Sequence, residues 1–173
     1  MPSVRQSIKV DRPSEDVFDL LVNYSKMPSF IKGVKNINQY SNGSIDKTMS
    51  QWEILINDTL VKWTQQDKVD RSNKRIDFQM LEGDFGRYAG NFQVKDLPDG
   101  SLLNFQFDID WNMTSAEELV GEILEAKANF AARWMLRGVR QALLAVKDKS
   151  KTEGTPRILD CVVSELAYYK NSR

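Results

Sequence analysis

Val4, Gln6, Ile8 and Val10 alternate with Arg5, Ser7, Lys9 and Asp11, a period of two that predicts a strand with one wet face. Pro13-Ser14-Glu15-Asp16 offers an N-cap serine followed by first-turn acids. Val17, Phe18, Leu20 and Leu21 then recur at helical spacing, so a short helix follows. Pro28 cannot continue a helix beyond its own first turn, which predicts a second short helix or turn from about Ser25 to Gly33. From there the chain reads as a meander of strands over residues 34–40, 48–56, 60–69, 74–81, 85–95 and 101–111. The separators are turn-formers such as Asn42-Gly43, Asn57-Asp58, Glu82-Gly83-Asp84 and Pro98-Asp99-Gly100. Connections this short force antiparallel neighbours.

Thr114 and Ser115 each stand three residues before a glutamate, Glu117 and Glu118, a capping-box spacing that opens a long helix reaching about Lys147. Its apolar residues Leu119, Ile123, Phe130, Trp134 and Ala142 predict one face packed on a large apolar surface. Residues 147–154 are charged and turn-rich, a linker. The segment beyond carries Ile158, Leu159, Val162, Val163, Leu166 and Tyr168, too apolar to be left in water, and is expected to dock back. The chain thus divides into one domain, residues 1–147, and a linker with a docking tail, residues 148–173. The fold class is α+β: a curved antiparallel sheet of about seven strands wrapped around a long C-terminal helix, with two short helices after the first strand, the helix-grip order.

Strand parity assigns the faces. Trp52, Ile54 and Ile56; Val61 and Trp63; Ile76, Phe78 and Met80; Tyr88, Gly90 and Phe92; and Phe105, Phe107, Ile109 and Trp111 share one register, which should face inward. Glu53, Arg75, Asp77, Gln79, Asn91, Asn104, Gln106, Asp108 and Asp110 fall in the opposite, convex register. Trp63, Gln65 and Asp67 alternate on one strand, so three chemically different groups project into the same space. An aromatic register of this kind builds either a plain core or the wall of a ligand cavity. The inward Gln65, Asp67 and Tyr88, with the adaptable Met27 and Met80, favour the cavity. Its candidate lining is Met27, Phe30, Trp52, Ile54, Trp63, Gln65, Phe78, Met80, Phe92, Phe105, Phe107 and, on the long helix, Asn129.

The segments Pro13-Ser14-Glu15-Asp16-Val17-Phe18, Asn23-Tyr24-Ser25-Lys26-Met27-Pro28-Ser29-Phe30, Glu82-Gly83-Asp84-Phe85 with Gly90-Asn91-Phe92, and Asp99-Gly100-Ser101 resemble, in order and spacing, the START/Bet v1-like (SRPBCC) superfamily. Within it they are most similar to the polyketide cyclase/dehydrase group, which also includes coenzyme Q-binding proteins. The resemblance covers roughly Val4 to Lys147. It implies a helix-grip fold with an internal pocket for a hydrophobic molecule. In aromatase/cyclases the strand matching residues 63–67 carries a tryptophan, a small polar residue and an arginine that orients a poly-β-ketone carbonyl. Here Trp63 matches, Gln65 is a larger amide, and Asp67 brings the opposite charge. The family's tyrosine after the second short helix falls at about Val34.

Asp67 then has two readings: a general base whose pKa is raised by an apolar pocket, or an aspartate at the pocket mouth paired with Lys68, Lys62 or a helix residue. Arg133, one turn from Asn129, is either the cation that replaces the missing arginine or a surface residue. Asp67, Tyr88 and Arg133 are the candidate catalytic set. The implied activity is cofactor-free cyclisation or dehydration of a bound polyketide-like molecule, a lyase-type reaction, with an acyl-carrier protein as a candidate partner. The alternatives are a non-enzymatic carrier of a quinone or lipid and, less directly, a protein-interaction role.

Composition narrows the chemistry. The chain of 173 residues has no histidine, which removes the usual general base and the commonest zinc ligand, so no metal site and no Ser-His or Cys-His catalysis is expected. Twenty-four basic residues balance 24 acidic ones, which argues against nucleic acid as a partner. The lone Cys161 suits a reducing compartment, and neither a signal-peptide pattern nor a membrane-length apolar run is present, so a cytoplasmic monomer or homodimer is expected.

Overall fold

The computed structural model describes residues 3–41, 46–56, 59–111 and 121–149. β1 (Ser3–Val10) leads into α1 (Ser14–Val22) and a 3-10 helix (Tyr24–Ser29) that contains Pro28. Then follow β2 (Val34–Ser41), β3 (Lys47–Ile56), β4 (Thr59–Asp70), β5 (Arg75–Gly83), β6 (Arg87–Leu97) and β7 (Gly100–Asp110), and finally α2 (Gly121–Lys149). The strands form one antiparallel sheet in the order β1-β7-β6-β5-β4-β3-β2, so each hairpin pairs with its chain neighbour and β1 returns to close on β7. With α2 against it, this is the α+β helix-grip architecture. The Asn42-Gly43 and Asn57-Asp58 turns, the capping residues Thr114 and Ser115, Leu119 and the tail lie outside the described residues.

The inward register follows the parity of the sequence. Trp52, Trp63, Ile76, Phe78, Tyr88, Phe92, Phe105, Phe107 and Ile109 are all buried, whereas Ile54, Val61 and Met80 are half-buried beside them. A bulge interrupts the β4–β5 pairing: Thr64 faces Glu82 and Gln65 faces Met80, leaving Leu81 without a partner and exposed. Bulges bend and twist a strand, and this one helps the sheet curve around its aromatic face. Gly90 interrupts the aromatic register for a steric reason. A β-carbon there would sit 2.1 Å from the Gln106 carbonyl oxygen and 2.6 Å from Phe107 Cα, so β6 and β7 could not approach.

Three expectations are corrected. Ser14 does not cap α1: it is the first helical residue, and its buried hydroxyl bonds to Asp96 at the end of β6 and to Glu15 Oε2 at 3.1 Å. Asn91, expected on the wet convex face, is buried. It lies on β6 in the middle of the sheet, between its cross-strand neighbours Asp77 and Gln106. The packed face of α2 is Ala128, Ala132, Leu136, Val139 and Leu143, whereas Ile123 and Phe130 are 55% and 65% exposed. The helix lies chiefly on β1 and touches β7 and α1. Alanines bring it closer to the strand than the bulky residues could. Trp134 is half-buried with its ring over Gly33, where the φ of +106 favours glycine and a β-carbon would stand 2.9 Å from Trp134 Cζ3.

Candidate functional site

β3 and β4 pair so that Trp52 faces Trp63, Ser50 faces Gln65 and Thr48 faces Asp67. The paired inward side chains build a two-strand ladder. The two indoles stack with centroids 5.4 Å apart and 10° between planes, and below them a polar network closes on Asp67. Trp52 Nε1 donates to Ser50 Oγ at 2.9 Å, and Ser50 Oγ donates to Asp67 Oδ2 at 2.6 Å. Trp63 Nε1 donates to Gln65 Oε1 at 2.7 Å, and Gln65 Nε2 donates to Asp67 Oδ1 at 2.6 Å.

The direction of these bonds is fixed by chemistry. An indole N–H can only donate, so each tryptophan forces its neighbour to accept, and Ser50 and Gln65 must turn their remaining protons toward Asp67. Two donor chains of opposite origin therefore converge on one carboxyl. Ser50, Gln65 and Asp67 are buried, with Ser50 and Asp67 at 0% exposure. Burial pushes the Asp67 carboxyl up to about 6, and the bonds from Ser50 and Gln65 hold it from rising further.

Tyr24, on the 3-10 helix, stands edge-on to Trp52 at 5.1 Å. Its hydroxyl is buried without a hydrogen-bond partner, yet it lies close enough to Asp67 to help hold that carboxyl down while its own pKa rises well above the usual tyrosine value, chiefly through burial. Tyr88 packs against Trp63 at 5.6 Å and Phe78 at 5.0 Å, and burial, then the Asp67 charge, raise its pKa too. Both phenols stay protonated donors at neutral pH.

The structure thus gathers Trp52, Trp63, Gln65, Asp67, Phe78 and Tyr88 into one cluster, continued by Phe92 and Phe105, stacked at 4.2 Å, and Phe107. Met27 is buried in the same core, and Phe30, Ile54 and Met80 pack against it half-buried. Asn129 and Arg133 are elsewhere. Arg133 is exposed on α2, its Nε donating to Gln6 Oε1 on β1 at 3.1 Å, and Asn129 accepts from Gln6 at 2.8 Å. The helix lies along β1, four strand positions from β4, so its polar side chains meet the edge strand instead of the Asp67 cluster. The ion-pair reading of Asp67 also fails: Lys62 pairs with Glu53 at 2.8 Å, and Lys68 is exposed on the other face. Two members escaped the sequence reading. Ser50 was within reach, two residues before Trp52 in the same register, whereas Tyr24 sits on a helical turn where strand parity gives no signal.

Two grooves among the described residues measure about 320 and 400 Å³. One runs between β1 and α2, the other beside Arg12 and the β6–β7 turn, and neither is lined by Trp63, Gln65 or Asp67. At the cluster itself the inward rings pack on one another.

A raised carboxyl pKa has a consequence for stability. The folded protein holds the Asp67 proton up to about pH 6, whereas an unfolded aspartate releases it near 3.8. The stabilisation is therefore complete below 3.8 and is lost as pH rises through 6. The whole loss is about 3 kcal/mol, of which roughly 1.4 falls between pH 5 and 8. Urea unfolding at several pH values should show this fall in the wild type and lose it in Asp67→Asn. Equal slopes in both would mean that Asp67 titrates normally.

The family model for polyketide cyclase / dehydrase and lipid transport matches residues 10–144. No curated protein matches the sequence. Among solved structures, the fold is similar to that of TTHA0849 from Thermus thermophilus, at 21% identity and TM-score 0.79 over 84% of this chain and 99% of that one. It is also similar to the Zhui aromatase/cyclase from Streptomyces sp. R1128, at 15% identity and TM-score 0.75 over 90% and 99%. A START superfamily protein from Mycobacterium smegmatis aligns at 13% identity and TM-score 0.68 over 83% and 98%. With its helix-grip fold and a family match across most of its length, the chain belongs to the polyketide cyclase / dehydrase and lipid transport family.

Proposed function

We propose that this protein binds a hydrophobic, polyketide-like molecule against the aromatic face of β3 to β7, the packed rings parting to admit it, and promotes its cyclisation or dehydration without a cofactor. Asp67 is the proton acceptor and Tyr24 the donor that holds a substrate oxygen. The observation that carries this reading is the pairing of a buried carboxyl, acceptor-only by the logic of its network, with a buried phenol that has a hydrogen to give and no partner. In the family's aromatase/cyclases a positive charge would polarise the carbonyl. Here a neutral phenol beside a carboxylate replaces it.

The chemistry balances with these two groups. Asp67 carboxylate takes a proton from the carbon between two carbonyls, and the C–H electron pair becomes an enolate whose oxygen accepts from Tyr24. The enolate carbon attacks a second carbonyl of the same chain, and the new alkoxide recovers the proton from Asp67. Asp67 then removes a further α-proton and passes it to the departing hydroxyl, which leaves as water and returns Asp67 to its carboxylate form. Folding the chain against the aromatic wall supplies the proximity that ring closure needs.

The carrier reading has its own support, because Phe78, Phe92, Phe105 and Phe107 extend the inward apolar face beyond the Asp67 cluster. Incubation with a linear poly-β-ketone mimic separates the two. The cyclase reading expects a product lighter by one water for each ring dehydrated, detected by mass spectrometry above the spontaneous rate. Saturable binding with the ketone recovered unchanged would overturn it in favour of a carrier.

A further inference from the structure

We propose that the groove between β1 and the C-terminal half of α2 is a binding site for a phosphate monoester, separate from the Asp67 cluster and independent of the function proposed for it. The groove, about 320 Å³, is lined by Gln6, Ile8, Leu136, Arg133, Arg137 and Arg140, with Ser7 at its rim. None of these residues is acidic. Arg133, Arg137 and Arg140 are spaced four and three residues apart, so their side chains leave one face of the helix with rises of about 6 and 4.5 Å between them. Arg133 and Arg140 set two guanidinium heads on one wall, and Arg137 between them has an interaction of its own.

This wall is held rather than merely exposed. Asn129 Nδ2 donates to the Glu125 carbonyl at 3.1 Å, its Oδ1 accepts from Gln6 Nε2, and Gln6 Oε1 accepts from Arg133 Nε. This relay anchors the Arg133 guanidinium by one nitrogen. Its two terminal nitrogens, and the whole head of Arg140, have no hydrogen bond or ion pair among the described residues. Guanidinium forks match the oxygens of a phosphate, and a group carrying close to two negative charges answers several cations better than a single carboxylate does. Ile8 and the buried Leu136 add an apolar floor, which suits an organic substituent on the phosphate.

The test is titration of octyl phosphate into isotope-labelled protein, followed by the amide shifts of Ser7, Ile8 and the 133–140 turns, with octanoate as the monoanionic comparison. Saturable shifts confined to this groove, tighter for the phosphate, are expected. The double variant Arg133→Gln, Arg140→Gln should bind at least ~10-fold more weakly, the scale of losing charged hydrogen bonds, while its aromatic fluorescence is unchanged. Flotation with phosphatidylcholine vesicles, with and without phosphatidic acid, identifies the source. Recruitment by phosphatidic acid that the double variant loses makes the ligand a lipid headgroup, and binding of octyl phosphate without recruitment makes it a soluble ester. Absence of saturable shifts, octanoate binding as well as the phosphate, or equal affinity in the double variant would overturn the proposal.

Discussion

Asp67→Asn should lower turnover of a poly-β-ketone substrate by about 10²- to 10⁴-fold, the usual contribution of a positioned general base, while changing affinity little. The two indoles set this expectation. Trp52 and Trp63 can only donate, so Ser50 and Gln65 are locked as donors toward residue 67, and that position must accept on both of its oxygens. Asparagine fits the volume but turns an N–H₂ toward one of those donors, so its own acceptor oxygen is spent on the other and none remains for a substrate proton. In the wild type, kcat/KM should rise as pH passes about 6, where Asp67 loses its proton in the folded protein, and the variant should lack that limb. Turnover that survives the substitution would take Asp67 out of the mechanism and leave the phenols of Tyr24 and Tyr88. A Tyr24→Phe comparison then divides the roles. It removes the unpartnered hydroxyl with almost no change in packing, and under the proposed mechanism it lowers kcat with little effect on stability.

Parity made most of this site legible before any coordinates. The meander's short turns determined an antiparallel sheet, and period two placed Trp52, Trp63, Gln65, Asp67, Phe78 and Tyr88 on one face because pleating leaves a strand residue no other choice. Parity says nothing about elements that cross the sheet. Which side of α2 packs depended on alanines, whose small size reads as weak hydrophobicity but permits close approach, so Ile123 and Phe130 read as buried and Arg133 stayed open between pocket and surface. Tyr24 was hidden for a related reason: its hydroxyl comes near Asp67 only because the 3-10 helix, packed on the neighbouring β2, sets the ring edge-on to Trp52. The resemblance to aromatase/cyclases pointed to this strand, and the sequence itself already set Asp67 against the family's arginine. A carboxylate in the place of an arginine calls for neutral donors around it, and Ser50 and Gln65 are those donors, with the Tyr24 hydroxyl close by.

Trp63→Ala should destabilise the protein by about 3–5 kcal/mol, the range for truncating a buried large aromatic, and Trp63→Phe by clearly less. Trp63 is 6% exposed, stacks on Trp52, and meets Phe85 at 5.8 Å and Tyr88 at 5.6 Å, so alanine empties the centre of the aromatic cluster. It also removes the donor that holds Gln65, leaving a buried amide oxygen without its partner. Phenylalanine keeps most of the packing and isolates that second effect. With no indole N–H to accept from, the Gln65 amide is free to rotate, and Asp67 loses a donor whose direction was guaranteed. Loss of a hydrogen bond to the charged form raises a carboxyl further, so the pH dependence of stability in Trp63→Phe should shift to higher pH than in the wild type. Urea unfolding across pH 5 to 8 on the three proteins reads both effects. A Trp63→Ala cost near 1 kcal/mol would mean that the indole faces open space, as a cavity wall would, and an unshifted profile in Trp63→Phe would mean that Gln65 holds its orientation without the indole.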